Sequence, residues 1–142
     1  MVSLRNVSQY DGTPPEEGDD RRIPTDQPLY PAETIAAILA SGPASRVKPV
    51  TRRARQDMQG LGWDHEDAAE AIREALDGGV YIGSEWCALG STNTVAACDA
   101  YRFRRVEQVV TGNRVTCEYY LKWAIGKNGD LILLVSCHLS RG

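Results

Sequence analysis

The spacing of apolar and polar positions divides the chain into a helical stretch and a strand-like stretch, preceded by a segment with little periodicity. In PAETIAAILASG, Ile35, Ile38 and Leu39 recur at helical spacing behind Pro31, and Gly42-Pro43 closes the run, which predicts a helix. TRRARQDMQGLG predicts a second, with Thr51 as N-cap and Met58 and Leu61 facing inward. WDHEDAAEAIREALDGG predicts a third. Asp64 stands before Glu66 and Asp67, acids that suit the positive end of a helix, and Ala68, Ala69, Ile72, Ala75 and Leu76 form the buried stripe. Gly78 and Gly79 end it.

From Val80 the period becomes two. VYIGSEW reads as a short strand at or near an edge, and GSTNTV as a loop. DAYRFRRVEQVV alternates loosely, with Tyr101, Phe103 and Arg105 against Arg102, Arg104 and Val106. Gly112-Asn113 marks a turn. The clearest alternation follows: Cys117, Tyr119, Leu121, Trp123 and Ile125 against Glu118, Tyr120 and Lys122. Beyond the hairpin turn Lys127-Asn128-Gly129, Leu131, Leu133, Val135, Cys137 and Leu139 alternate with Ile132, Leu134, Ser136 and His138. The expected architecture is α+β, an antiparallel sheet of about four to six strands with about three helices on one face.

Composition fits one packed domain: 142 residues, 42% hydrophobic and 25% charged. Residues 1–27 differ, being rich in Pro, Gly and charge, and read as a flexible, loosely attached acidic arm before a domain over 28–142. Its acids Glu16, Glu17, Asp19 and Asp20 could imitate a phosphate backbone, although such runs are usually only solvated. The net charge of −3 gives no general support for nucleic-acid binding, so any such role needs local patches. One patch is the Arg46–Arg55 segment, which includes Arg52 and Arg53; the strands offer another. The four cysteines have no C-x-x-C spacing and read as free thiols, Cys117 and Cys137 buried on the apolar face. No targeting or membrane-spanning run is evident, so a cytoplasmic location is expected.

With helices on one side, Glu118, Tyr120, Lys122, Ser136 and His138 fall on the open face, joined by Arg102 and Arg104. RNA carries its own nucleophile in the 2′-hydroxyl, so its cleavage needs only a base, an acid and cations around the phosphate. An imidazole suits proton transfer near neutral pH, which makes His138 the acid–base candidate. Lys122, Arg102 and Arg104 can hold the charge that develops on phosphorus. Tyr120 can donate a hydrogen bond or stack on a base, and Glu118 can orient His138 or act as the base. The plainer reading is a half-solvated sheet with ordinary cross-strand pairs.

Several short pieces in a fixed order add to this: Leu61-Gly62-Trp63 after the basic helix, Asp99-Ala100-Tyr101-Arg102, Tyr120-Leu121-Lys122, and Leu131 to Ser136. Over residues 28–140 the chain resembles the MqsR family of bacterial toxin ribonucleases. The resemblance implies a RelE-like ribonuclease fold, metal-independent cleavage of mRNA without a cofactor, and control by a cognate antitoxin protein. The family's active-site tyrosine falls on Tyr120. Its final-strand lysine falls at His138 and its glutamine at Cys98, and its lysine in the preceding strand has no counterpart in VYIGSEWCALG. Taken with the open-face chemistry, the reading has His138, Tyr120, Lys122, Arg102 and Glu118 as catalytic residues, with Arg104, Tyr101, Arg52 and Arg53 binding RNA. The unmatched positions leave an alternative: a catalytically impaired module of that fold that binds RNA or protein, with the strand around Trp86 as an interface edge.

Overall fold

The computed structural model describes residues 4–16, 19–90 and 93–139. Among the described residues, seven strands form one mixed sheet in the order β2-β4-β5-β6-β7-β3, with β1 paired to β5 off this path. The strands are β1 (Arg5–Asn6), β2 (Arg22–Ile23), β3 (Val47–Pro49), β4 (Val80–Ala88), β5 (Thr94–Gln108), β6 (Arg114–Ile125) and β7 (Ile132–Leu139). The α+β class stands, but the sheet is larger than expected and not wholly antiparallel: β1–β5 and β3–β7 are parallel pairs. Two- and three-residue strands carry too few positions for a period of two to be visible, which is why β1, β2 and β3 have no clear trace in the pattern.

The helices α1 (Ala32–Ser41), α2 (Arg52–Leu61) and α3 (His65–Gly78) fall where the apolar spacing placed them. Thr51 caps α2, its side chain accepting from the Ala54 amide, and Gly62 ends it in the left-handed conformation at φ 71°. Asp64 and Asp67 form a reciprocal capping box at the start of α3, and His65 Nδ1 meets the Val47 carbonyl at 2.8 Å. The main core joins Ile35, Ile38, Met58, Ile72 and Ala75 of the helices to Tyr101, Phe103, Tyr119, Leu121 and Trp123 of the sheet. Trp123 is fully buried and stacks on Tyr101, ring centroids 4.6 Å apart. None of the described helices is long and apolar enough to cross a membrane.

Two expectations about the strands need correction. The alternation in β7 does not run through: the register between β6 and β7 shifts between Lys122 and Trp123, where Ser136 opposes Lys122 but Leu134 opposes Trp123. Val135 is the extra residue of this bulge. On its far side Ile132 and Leu134, not Leu133, pair with the core residues Ile125 and Trp123, and both are fully buried. Trp86 is not an exposed interface edge. It is 6% exposed, packs with Ile23, Val95 and Ala97, and lies 5.9 Å from the Tyr10 ring.

The amino-terminal segment is not loosely attached where it is described. Residues 5–9 lie between β5 and the end of β6, where those strands part. The Arg5 and Val7 amides donate to Asn93 and Val95, the Gln9 amide to Ile125, and Lys127 donates back to Val7. Ser8 is fully buried and accepts from the Ala97 amide. β2 then covers part of the outer edge of β4, opposite Ser84 and Glu85. Of the acidic run, Asp20 is engaged by Arg22 of the same segment, whose hydrogen bonds pull its carboxyl down to about 2. Glu17 lies outside the described residues.

Asp99 ties the residues just after this segment to the sheet. Its buried carboxylate accepts from the Leu29 and Tyr30 amides at 2.9 and 3.0 Å and from Ser84 Oγ at 2.6 Å. Burial nevertheless pushes the Asp99 carboxyl above its ordinary value of 3.8, the three hydrogen bonds opposing the shift. An acid whose folded pKa is raised takes up protons on folding. Its stabilising contribution is therefore complete below 3.8 and is lost as pH rises through the folded value. The difference in unfolding free energy between the wild type and Asp99→Asn should accordingly shrink from about pH 4 upward, measured by urea titration. A difference that grows with pH would show that the hydrogen bonds, not burial, control this carboxylate.

Candidate active site

Polar side chains of β4, β6 and β7 converge, with the start of α2, on a cleft of about 430 Å³ lined by Arg53, Glu85, Tyr120, Lys122, Ser136 and His138. Strand pairing explains the meeting. Tyr120 stands directly opposite His138, and Lys122 opposite Ser136. On the other side of β6, Arg102 stands opposite Tyr120 and Glu118 opposite Arg104. Directly paired residues share a sheet face, so Arg102, Tyr120 and His138 form a row across three strands. The Tyr120 and His138 rings are 5.8 Å apart and inclined at 35°. Both side chains are half-buried, while Arg102 is exposed.

His138 Nδ1 lies 3.1 Å from the Leu139 carbonyl oxygen. A carbonyl can only accept, so this contact is a hydrogen bond when Nδ1 carries the proton. Nε2 is then the basic nitrogen of the neutral ring. Lys122 is bound by Glu85, a residue that strand patterning alone did not single out. Burial works against the Lys122 ammonium, but the Glu85 carboxylate outweighs it and the pKa rises. Lys122 therefore enters the cleft as a cation. The sequence signal for Glu85 was its place one residue before the inward-facing Trp86, but the irregular register between Tyr81 and Gly83 obscures the parity of this strand.

The remaining candidates separate into two groups. Arg104 pairs with Glu118 at 3.0 Å on the same sheet face as Tyr120, so Glu118 does not orient His138. Arg53 reaches the cleft from the first turn of α2 and approaches Asp57 at 4.0 Å. Arg52 is exposed beside it but does not line the cleft. Tyr101 is not available to RNA: it lies on the core side, 7% exposed, between Tyr81 and Trp123, and burial raises its hydroxyl to about 12. Its neighbours in sequence alternate faces, so Arg102 and Tyr101 cannot serve one surface. Cys98 is fully buried, opposite Glu85 in the strand pairing. All four thiols are free, and burial pushes Cys137 to about 12.

The placement of α2 depends on two contacts with β7. Thr51 Oγ1 donates to the Val135 carbonyl at 2.6 Å, and Asp57 accepts from the Cys137 amide at 3.0 Å. Thr51 thus serves both as helix cap and as a tie to the bulge that aims Ser136 into the cleft. Thr51→Ala removes both bonds and is expected to lower unfolding free energy by about 2 kcal/mol, as read by chemical denaturation. A loss below about 0.5 kcal/mol would mean that water replaces both bonds without cost.

Among the described residues no group of three or more His, Cys, Asp or Glu is placed to hold a metal ion. No protein-family model, curated protein or solved structure matches the chain.

Proposed function

We propose that this protein is an endoribonuclease toxin of the MqsR type, with a RelE-like fold, that cleaves mRNA without a metal ion and is held in check by a cognate antitoxin. The observation that carries the proposal is the row Arg102–Tyr120–His138 on the sheet face that holds the cleft, with Lys122 one pair further along. In this reading His138 Nε2 takes the proton from the 2′-hydroxyl, and the 2′-oxygen attacks phosphorus. Lys122 and Arg102 balance the charge of the crowded phosphorane, and Tyr120 donates to a phosphate oxygen or stacks on a flanking base. The bond to the 5′-oxygen breaks, and that oxygen takes up a proton from the protonated imidazole. The products are a 2′,3′-cyclic phosphate and a 5′-hydroxyl.

The purified protein is expected to cleave a single-stranded mRNA in the presence of a chelator and to leave those two ends. Tyr120→Phe keeps the ring and removes the donor, and should slow cleavage by about tenfold if the hydroxyl touches the phosphate. Intact RNA after prolonged incubation, or 5′-phosphate products, would remove the proposal in this form.

One observation favours a second reading, an impaired module that binds RNA or protein. Glu85 engages Lys122 inside the cleft and puts a carboxylate where a phosphate would bind. Under that reading Glu85→Gln strengthens RNA binding and no variant restores cleavage. Under the first reading phosphate displaces Glu85 from Lys122, and the wild type is already active.

A further inference from the structure

The hairpin of β5 and β6 runs well past its neighbours. β4 begins at Val80 opposite Arg102, and the described part of β7 ends at Leu139 opposite Tyr119. From Phe103 to Gln108 and from Arg114 to Glu118 the two strands pair only with each other among the described residues. A turn closed by the Gly112 amide on Val109 joins them, with Gly112 at φ 86°. The outer part of this ribbon is exposed, Val106 at 60% and Val110 fully. It does not contribute to the main core as the inner strands do, so its length is not explained by packing.

Its two faces differ in chemistry. The face continuous with the cleft carries Arg104 opposite Glu118, Val106 opposite Thr116, and Gln108 opposite Arg114, in register with Arg102 and Tyr120. That makes three arginines, two hydrogen-bonding side chains and one carboxylate, the last already engaged by Arg104. The reverse face carries Val115, Cys117, Glu107 and Arg105, the last pinned over the Phe103 and Tyr119 rings and paired with Glu74 and Glu107. Cations, donors and an aromatic foot at Tyr120 lie along one line, and Arg114 stands about 20 Å from Tyr120 along the strand. This is the pattern of a track for a single-stranded polyanion, arginines meeting phosphates with an aromatic platform at the end.

We propose that the projecting β5–β6 ribbon is a second RNA subsite, which binds the nucleotides flanking the cleft through Arg104 and Arg114 and so makes long single strands the substrate class. The proposal rests on the ribonuclease reading for the identity of its ligand. It adds that binding energy is gathered outside the reacting residues, on the exposed outer part of the hairpin.

The test is equilibrium binding of fully 2′-O-methylated RNA, which has no nucleophile and cannot be cleaved by this route. Two lengths are compared, about 4 and about 12 nucleotides, the shorter matching the cleft and the longer spanning the ribbon as well. Arg104→Gln with Arg114→Gln should weaken the long strand on the order of tenfold at low salt and reduce the slope of log K against log salt by about 1.4, two phosphate contacts' worth. The short strand should change by less than about twofold. A second variant, with Asn-Gly replacing residues 108–114, removes Arg114 and leaves Arg104; it should lower the slope by about 0.7, again for the long strand alone, and keep the wild-type melting transition, since it removes only exposed residues and closes on a favoured turn. Equal weakening of both lengths, or none of either, overturns the ribbon subsite. So does loss of self-association with RNA binding intact, measured by light scattering, which would make the ribbon a protein interface. Cleavage of unmodified RNA by wild type and His138→Ala, run alongside, separates the two ideas: ribbon-dependent binding with no His138-dependent cleavage rejects the nuclease and keeps the subsite, and the reverse result rejects the subsite alone.

Discussion

His138→Ala is expected to abolish most RNA cleavage, a loss of about 10²–10⁴-fold in the single-turnover rate, the range supplied by a positioned acid–base group. The expectation rests on position more than on residue type. His138 is the direct cross-strand partner of Tyr120, half-buried, with Nδ1 3.1 Å from the Leu139 carbonyl oxygen, so that Nε2 is the base when Nδ1 carries the proton. Alanine removes the base without opening the main core, to which His138 does not belong, so the folded population should be unchanged and the loss assignable to chemistry. His138→Lys is the informative companion, because the proposed MqsR-type function would expect a lysine there. A cation at that position preserves phosphate attraction, but lysine holds its proton at neutral pH and makes a poor base. Retained binding with slow cleavage would separate the two roles of the site. If His138→Ala cleaves as fast as the wild type, the imidazole has no part in the reaction and the second reading gains.

Deleting residues 1–27 is expected to cost at least about 6 kcal/mol of stability, comparable with the whole margin of many domains. Removal takes away the four backbone hydrogen bonds of residues 5–9 and Lys127, each worth about 1 kcal/mol net. It also removes Ile23, whose burial against Trp86 is worth about 2 kcal/mol. Worse, it leaves the gap between β5 and β6 unfilled, with the Ala97 amide stripped of its Ser8 acceptor. The truncated chain should be largely unfolded or aggregated, as seen by circular dichroism and size-exclusion chromatography. A truncated chain that melts as sharply and as high as the full one would show that the segment lies on the domain without supporting it.

The contrast between that segment and the helices shows where the pattern of the chain could be read and where it could not. All three helices were legible, because each spans at least two turns and its apolar stripe and caps, Thr51 and Asp64 among them, are local properties of the backbone. The faces of β6 were legible for the same reason: Tyr119, Leu121 and Trp123 turn inward, and Tyr120 and Lys122 line the cleft. In β7 the parity held for Ser136 and His138 but failed beyond the bulge at Val135, since one extra residue reverses every face that follows. The amino-terminal segment looked unstructured because its contacts are few and distant. Ser8 bonds to Ala97, and the Arg21 carbonyl accepts from the Trp86 amide. Nothing in the composition of residues 1–27 reports a gap elsewhere in the sheet that only they can fill.

By itself, then, the amino-acid order determined the α+β class, the helix limits and the group of polar residues that would share one surface with Tyr120. These follow from interactions between neighbours three or four residues apart, or from alternation along one strand. Only the tertiary structure decided that Glu85 would bind Lys122, that Tyr101 would be lost to the core, that Glu118 would pair with Arg104 rather than with His138, and that the first residues would complete the sheet. Those outcomes depend on which strand lies beside which and in what register, and pairing between distant segments is set by the packing of the whole molecule, not by any stretch within it.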